Sequence, residues 1–346
     1  MIMHYRRIRV FHSMFINRKF EHIGLLIILY NSIERHNMII KKEKNGNIMV
    51  YTVGEDMTDA QINKRESKKL TEKDREKMFI IDHDADVLLE NGKLLIRFRK
   101  NKLTKEKVDD FWDNVITFAR KDTSNRGSTS GSKSRNVRDN PKIKSNIIGY
   151  FDTISPSQKF ALRNAGIKLD MQARETSFIR DHPEKYAKMI PLIKEIDHYY
   201  EKYAPEYYAK QRKKADETHF KIKGTSFTTI TTNVNFQTSL HKDKGDDSDG
   251  FGNLAVIERG KYAGAETCFP QFGVGVDCRT GDILFMDVHY WHSNLPMKKL
   301  TKDAERLSIV CYLRWRLWTI TKGKTLKQMK AHILKIHNAS KTRKKR

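Results

Sequence analysis

Only 3 of the 346 residues are cysteine, and none stands in a CxxC pair. A disulfide-stapled scaffold and a cysteine-based zinc module are therefore excluded. Proline, at 7, and glycine, at 18, are too few for a collagen-like or proline-rich chain. Long apolar runs are also missing. The most hydrophobic stretch, Ile23 to Tyr30, falls far short of the roughly 20 residues a bilayer demands, so no membrane partner is expected. It follows a basic start without a small-residue cleavage site. A secretory signal peptide fits that poorly, and an intracellular protein, nuclear or cytoplasmic, is expected. Acid is the scarce charge: 67 Lys and Arg against 42 Asp and Glu leave +25. A chain that basic points to a polyanionic partner, nucleic acid first.

What is present suffices for a sizeable core. Hydrophobic residues make up 38% and aromatics 10%, which excludes wholesale disorder. The length suggests about two domains, or one with extensions. Residues 1–77 read as an N-terminal extension of no assigned function, with Met38 and Met49 as alternative starts. Residues 78–120 hold a hairpin around the Asn91-Gly92 turn and a helix capped by Thr104. Val108, Phe111, Trp112, Val115 and Phe118 recur at helical spacing, as one buried face. Asp82-His83-Asp84-Ala85-Asp86 looks metal-like, but no second cluster of matching spacing follows, and it reads as a solvated loop.

Residues 121–146 are rich in Ser, Gly and basic side chains and read as a flexible basic loop. Its Arg126, Lys133, Arg135 and Arg138 are candidates for phosphate contact. Residues 147–320 form the expected core. Ser155-Pro156 starts a helix, Pro183 and Pro191 open further turns or helices, and Ile190, Ile193, Ile196 and Tyr200 give a buried stripe. From His219 the period switches to short strands: Phe227–Phe236, Leu254–Glu258, Gly273–Cys278, Asp282–Val288 and Arg306–Trp315. Such strands, joined by Gly and Asp turns, predict an antiparallel sandwich or barrel with helices over one face. Residues 321–346 are a basic tail. From Lys322 it holds ten basic residues and no acid, as in a solvated tail or an arm for a nucleic-acid backbone.

His241-Lys242-Asp243 follows a strand, and alternation puts both outer residues on one face. His292 comes after the strand Gly281 to Asp287, with His289 as a competitor. Two histidines and a carboxylate on one side of an iron leave three positions open. On the last strand, alternation groups Arg306, Ser308, Val310, Tyr312 and Arg314. An inward Arg beside a Ser suits a carboxylate, and without an anion the buried charge would be costly.

With these elements the sequence resembles the Fe(II)/2-oxoglutarate dioxygenases, and within them the TET/base-J-binding-protein (JBP) branch. The likeness runs from about Leu88 to Trp315. It includes Asn125-Arg126-Gly127, Ile148-Gly149-Tyr150-Phe151-Asp152, Phe227-Thr-Thr-Ile-Thr231, the segment Gly260 to Pro270, and Arg306-Leu-Ser-Ile-Val310. The resemblance implies an α+β fold, with a double-stranded β-helix (jelly-roll-like) core under an N-terminal helical cover. It implies iron on His241, Asp243 and His292. It also implies 2-oxoglutarate gripped by Arg306 with Ser308 in support, Arg314 being a weaker candidate; Asn233 and Asn235 share the inward parity of His241, and either could line the site. The implied enzyme is a dioxygenase that uses O2 to hydroxylate a base methyl in DNA, thymine or 5-methylcytosine, releasing succinate and CO2. Other readings are an oxygenase acting on a protein side chain or an alkylated RNA or DNA base, and a non-catalytic nucleic-acid-binding module. Two departures stand out. Ala265 occupies a place where the family tends to carry a second glycine, and the long Cys-rich insert of animal TET enzymes is missing. Asp246 to Gly250 looks like a calcium loop, but its spacing fails and it reads as a turn.

Overall fold

The computed structural model describes residues 38–344 apart from Lys133 and Arg135. The apolar run Ile23–Tyr30, the phosphate-contact reading of Lys133 and Arg135, the side chain of Arg138, and the end of the basic tail lie outside the described residues.

In chain order the strands are β1 (Ile39–Asn45), β2 (Ile48–Val53), β3 (Phe79–Ile81), β4 (Ala85–Leu89), β5 (Leu94–Arg99), β6 (Ser145–Phe151), β7 (Arg174–Glu175) and β8 (Thr229–Val234). They continue as β9 (Gly252–Arg259), β10 (Tyr262–Gly264), β11 (Thr267–Phe269), β12 (Val274–Val276), β13 (Ile283–Met286), β14 (Ser293–Asn294), β15 (Met297–Lys299) and β16 (Glu305–Tyr312). Ten form a large sheet, ordered β1-β2-β4-β5-β13-β9-β16-β8-β6-β7, and four form a smaller one, β14-β11-β12-β3. From β8 onward the chain alternates between the two sheets. The loop carrying His241 bridges to His292 at the edge of the small sheet, and β9, β13 and β16 return to the large one. The fold thus combines mixed sheets with helices.

Period-two patterning decides what each face of the large sheet meets. Leu307, Ile309 and Cys311 of β16 share a core with Phe111, Ile193, Ile196 and Tyr200. Those four come from the helices Lys105–Ala119 and Pro183–Tyr203, so helices cover this face as expected. The alternate residues Leu254, Val256, Leu284 and Met286 pack with Phe269, Val274 and Val276 of the small sheet. Arg306 and Ser308 point the same way, into the space between the sheets.

Several local readings meet their structure directly. Leu94–Arg99 pairs antiparallel with Ala85–Leu89 across the Asn91-Gly92 turn. There Gly92 takes φ +79°, the positive dihedral for which such a turn selects glycine. Ser155 caps Pro156–Asn164 reciprocally with Gln158. Thr104 stands at the cap position of its helix, but its hydroxyl donates to Glu195 Oε1 at 2.6 Å instead. Gly149 of β6 has φ +108°, and a Cβ there would lie 2.5 Å from the Thr228 carbonyl oxygen. Only glycine lets β6 approach β8 so closely.

Other readings need correction. Pro191 lies inside the helix Pro183–Tyr203 rather than opening an element. Asp86 is no solvated loop residue: it is buried in β4 and takes a bidentate pair from Arg97 at 2.9 and 2.6 Å. Residues 38–77 are not a detached extension, since β2 pairs parallel with β4 and places β1 at the sheet edge. The 121–146 segment is built rather than free. Thr123 bridges Ile143, and Gly127–Ser130 forms a 3-10 turn closed by Ser130 Oγ donating to Gly127 O at 2.7 Å. The basic tail is helical over Leu326–Lys344. Ile336 and Ala339 complete an apolar cluster with Ile154, Ala161 and Leu162, because the helix carries apolar residues at i, i+3 and i+7 between its lysines. Among the described residues no helix is long and apolar enough to cross a membrane.

Ala265 sits at φ +64°, a left-handed conformation that costs an L-residue roughly 1–2 kcal/mol. The departure from glycine noted in the sequence is therefore a strained position. Ala265→Gly is expected to raise stability by about 1 kcal/mol, seen as a higher denaturation midpoint with unchanged m-value.

Candidate active site

His241, Asp243 and His292 converge from two places in the chain. Their ligand atoms all lie within 4.8 Å of one another. The two histidines face each other across a backbone bridge, with His241 N donating to His292 O at 3.1 Å and His292 N to His241 O at 3.0 Å. Asp243 N donates to Val288 O at 2.9 Å, which ties the HxD segment to the end of β13. The carboxylate then stands 3.5 Å from His241 Nε2 and 3.7 Å from His292 Nε2.

The outward ring nitrogens orient both imidazoles. His241 Nδ1 donates to the Ser239 carbonyl at 2.7 Å and His292 Nδ1 to the Tyr290 carbonyl at 3.0 Å. That tautomer leaves each Nε2 lone pair aimed into the site. Burial, assisted by the neighbouring His241, pushes the His292 imidazole down to about 4, so it is neutral and ready to ligate at physiological pH. A divalent metal bonding at about 2.1 Å holds adjacent donors roughly 3 Å apart. The donor set and its spacing fit such an ion with one face left open.

The cluster opens into a cavity of about 180 Å³ that also takes Arg306, Ser308 and Tyr312 of β16 and Arg314 just beyond it. Arg306 is 6% exposed. Its Nε is buried without a hydrogen-bond partner, an orphaned donor that fits an incoming carboxylate. Ser308 Oγ accepts from Asn233 Nδ2 at 3.2 Å, while Asn233 Oδ1 accepts from Ser145 Oγ at 2.5 Å. The relay leaves the Ser308 proton free to donate toward the same ligand. These residues fit a small dicarboxylate such as 2-oxoglutarate.

Other candidates fall elsewhere. Asn235 is exposed at φ +50°, and its Oδ1 accepts from Arg306 N at 2.8 Å, so it shapes β16 and does not line the cavity. Arg314 reaches the cavity, but Asp152 Oδ1 holds its Nε at 2.9 Å and its guanidinium lies 4.2 Å from the centroid of the Phe151 ring. It is thus already neutralised. His289 pairs with Asp287 at 3.0 Å, and that hydrogen bond raises its pKa. With Lys93 also 2.7 Å from Asp287, it belongs to a separate ion cluster. In the Asp246–Gly250 turn, Asp247 and Asp249 both neutralise Lys214.

Three residues near the metal cluster are not assigned to this site by the sequence. Asp246 is half-buried, and desolvation with the Asp243 charge beside it drives its carboxyl well above the usual range. Thr231 bonds the Tyr312 hydroxyl at 3.1 Å. Arg126 enters the cavity from the 121–146 loop, where the sequence suggests phosphate binding instead. Parity on β8 points to Thr231; nothing local to Arg126 announces its inward turn.

Comparison with known proteins places this geometry. The Tet_JBP family, described as the oxygenase domain of the 2OGFeDO superfamily, matches residues 164–315. Thymine dioxygenase JBP1 of Crithidia fasciculata is 33% identical over 172 residues, 49% of this chain and 20% of that protein. The bifunctional helicase and thymine dioxygenase JBP2 of Leishmania infantum is 33% identical over 169 residues, 49% of this chain and 14% of that protein. The chain thus spans a fifth or less of these curated relatives. The solved structure of NgTET1 in complex with 5mC DNA aligns over 80% of this chain and 99% of its own, at 12% identity and a TM-score of 0.47. The family match contains His241, Asp243, His292, Arg306, Ser308 and Arg314 but begins after the Asn125-Arg126-Gly127 and Ile148–Asp152 segments. Residues 164–315 of this chain are therefore similar to the oxygenase domain that the Tet_JBP family describes.

Proposed function

We propose that this protein is an iron- and 2-oxoglutarate-dependent dioxygenase that hydroxylates a base methyl group in DNA. One observation carries the reading: a His-Asp-His cluster shares its cavity with a buried arginine whose Nε has no partner. The alternation of strands between the two facing sheets supports a double-stranded β-helix core. Iron(II) with 2-oxoglutarate and O2 supplies the oxidising power that converts a C–H into C–OH, releasing succinate and CO2.

The chain's own residues do the placing. His241, Asp243 and His292 would hold the metal. Arg306 takes the far carboxylate of the cosubstrate through its fork, with the Ser308 hydroxyl beside it. The Phe269 ring lies tilted against His292, centroids 5.9 Å apart, and packs the histidine from the small sheet. A duplex base has to leave the stack to reach this depth. The names of the curated relatives support thymine as a substrate. Mass spectrometry of nucleosides from DNA treated with iron(II), 2-oxoglutarate and O2 tests the reading: hydroxymethyl bases are expected. Succinate release with unmodified DNA, and hydroxylation of a peptide or RNA instead, would overturn it.

Exposed Lys327, Lys330, Lys335 and Lys341 line the C-terminal helix. Their replacement by Gln is expected to weaken DNA binding and flatten its salt dependence, by about 0.9 in log–log slope for each phosphate no longer neutralised. Deleting the whole helix is the wrong test, because it would uncover Ile154, Ala161 and Leu162.

A further inference from the structure

The Arg126 guanidinium is a charge the fold buries without satisfying. Its Nη2 is inaccessible and has no hydrogen-bond partner. The charged and titratable groups that act on it are Tyr312, the Asp243 carboxylate and Arg314, all of which line the same cavity, and Arg314 is already committed to Asp152. A buried, unpaired guanidinium is costly in the ligand-free protein. The loop that carries it is nevertheless clamped in place: Ser239 N donates to Thr129 O at 2.9 Å, and the Ser239 hydroxyl donates to Ser128 O. Ser239 also accepts from His241, so the segment that orients the first metal ligand also fixes the Arg126 loop.

Arginine carries donors only, so what completes this site is an acceptor. Arg126 groups with Tyr312 and Arg314, the end of β16 remote from Arg306. Six residues of strand separate Arg306 from Tyr312, roughly 20 Å. The cosubstrate anchored on Arg306 fills the opposite end, and the Arg126 end is left to the substrate. In a pyrimidine offering its C5 methyl to the metal, the vicinal ring position carries an oxygen acceptor in thymine and an amino donor in 5-methylcytosine. A guanidinium beside the metal-facing Asp243 satisfies the first and is left unpaired by the second.

We propose that Arg126 donates to the O4 of an extruded thymine and selects thymine over 5-methylcytosine. The proposal rests on the DNA-base reading above and names its substrate. Sites built to hydrogen-bond a substrate group discriminate strongly against an analogue that lacks it.

The test compares oligonucleotides carrying thymine or 5-methylcytosine in one sequence context, with wild type, Arg126→Gln and Arg126→Lys. Wild type is expected to favour thymine by roughly 100-fold in kcat/KM. Arg126→Gln should lose most of that preference by losing thymine turnover. Its KM for 2-oxoglutarate, read from succinate release without DNA, should stay within about twofold. Arg126→Lys should recover part of the preference. Arg126→Met should raise the thermal midpoint of the ligand-free protein, because an unpaired buried charge is gone. An unchanged base preference in Arg126→Gln overturns the proposal. So does a tenfold rise in its KM for 2-oxoglutarate, which would assign the guanidinium to the cosubstrate's near carboxylate. A wild type that releases succinate but leaves both bases intact sinks the DNA reading itself, and that control separates the two failures.

Discussion

Asp243→Ala and His292→Ala should each abolish coupled turnover and weaken iron(II) binding, while His289→Ala should keep activity within about tenfold of wild type. Losing a partner one step removed from a metal typically costs 10- to 100-fold. Removing one of three ligands should therefore exceed roughly 100-fold in succinate release. The contrast with His289 makes the experiment discriminating. Both histidines follow β13 within a few positions, but Nε2 of His292 faces Asp243 at 3.7 Å while His289 is paired to Asp287. Iron(II) titration provides the readout that does not depend on turnover. A dead His289→Ala with an active His292→Ala would reverse the ligand assignment.

Arg306→Ala should raise the 2-oxoglutarate requirement steeply. Truncating one partner of a buried charged pair costs about 2–5 kcal/mol, or about 30-fold to a few thousand-fold in KM. Arg306→Lys should rescue only part of it, because a point charge cannot reproduce the planar fork. The ligand-free variant should be no less stable than wild type, since Arg306 Nε has no partner to lose. Arg314→Ala should behave oppositely. It leaves the buried Asp152 carboxylate, 4% exposed in its side chain, with only the more distant Arg316 at 3.9 Å, and lowers stability with little change in cosubstrate affinity. If KM moves in Arg314→Ala and not in Arg306→Ala, the two ends of β16 have exchanged roles.

Much of this was legible in the chain because it is local. A period of two on β16, continued by the extended residues after it, determines that Arg306, Ser308, Tyr312 and Arg314 share a face whatever the sheet packs against. One intervening residue likewise commits His241 and Asp243 to the same side of an extended segment. Asn91-Gly92 and Ser155-Pro156 mark their turn and helix start through backbone dihedrals and capping, both properties of neighbours in sequence. The apolar spacing in Leu326–Lys344 was readable too, but the density of lysine hid it: charge describes the solvent face of a helix and says nothing of the stripe beneath.

What a side chain meets across the fold is a different matter. Arg306 on β16 and Arg314, two residues past its end, share one parity, yet Arg306 is left unpaired and Arg314 is neutralised, because Asp152 arrives from just after β6, 162 residues away. Arg126 sits in a Ser- and Gly-rich stretch whose composition reads as linker, and Ser239 pins it over the metal cluster. The chain alone determined the ligand types, their parity and the alternation of strands, which follow from backbone geometry. Tertiary structure alone decided which buried charges found partners and which remained for a ligand, because desolvation and ion pairing depend on groups brought together only by folding.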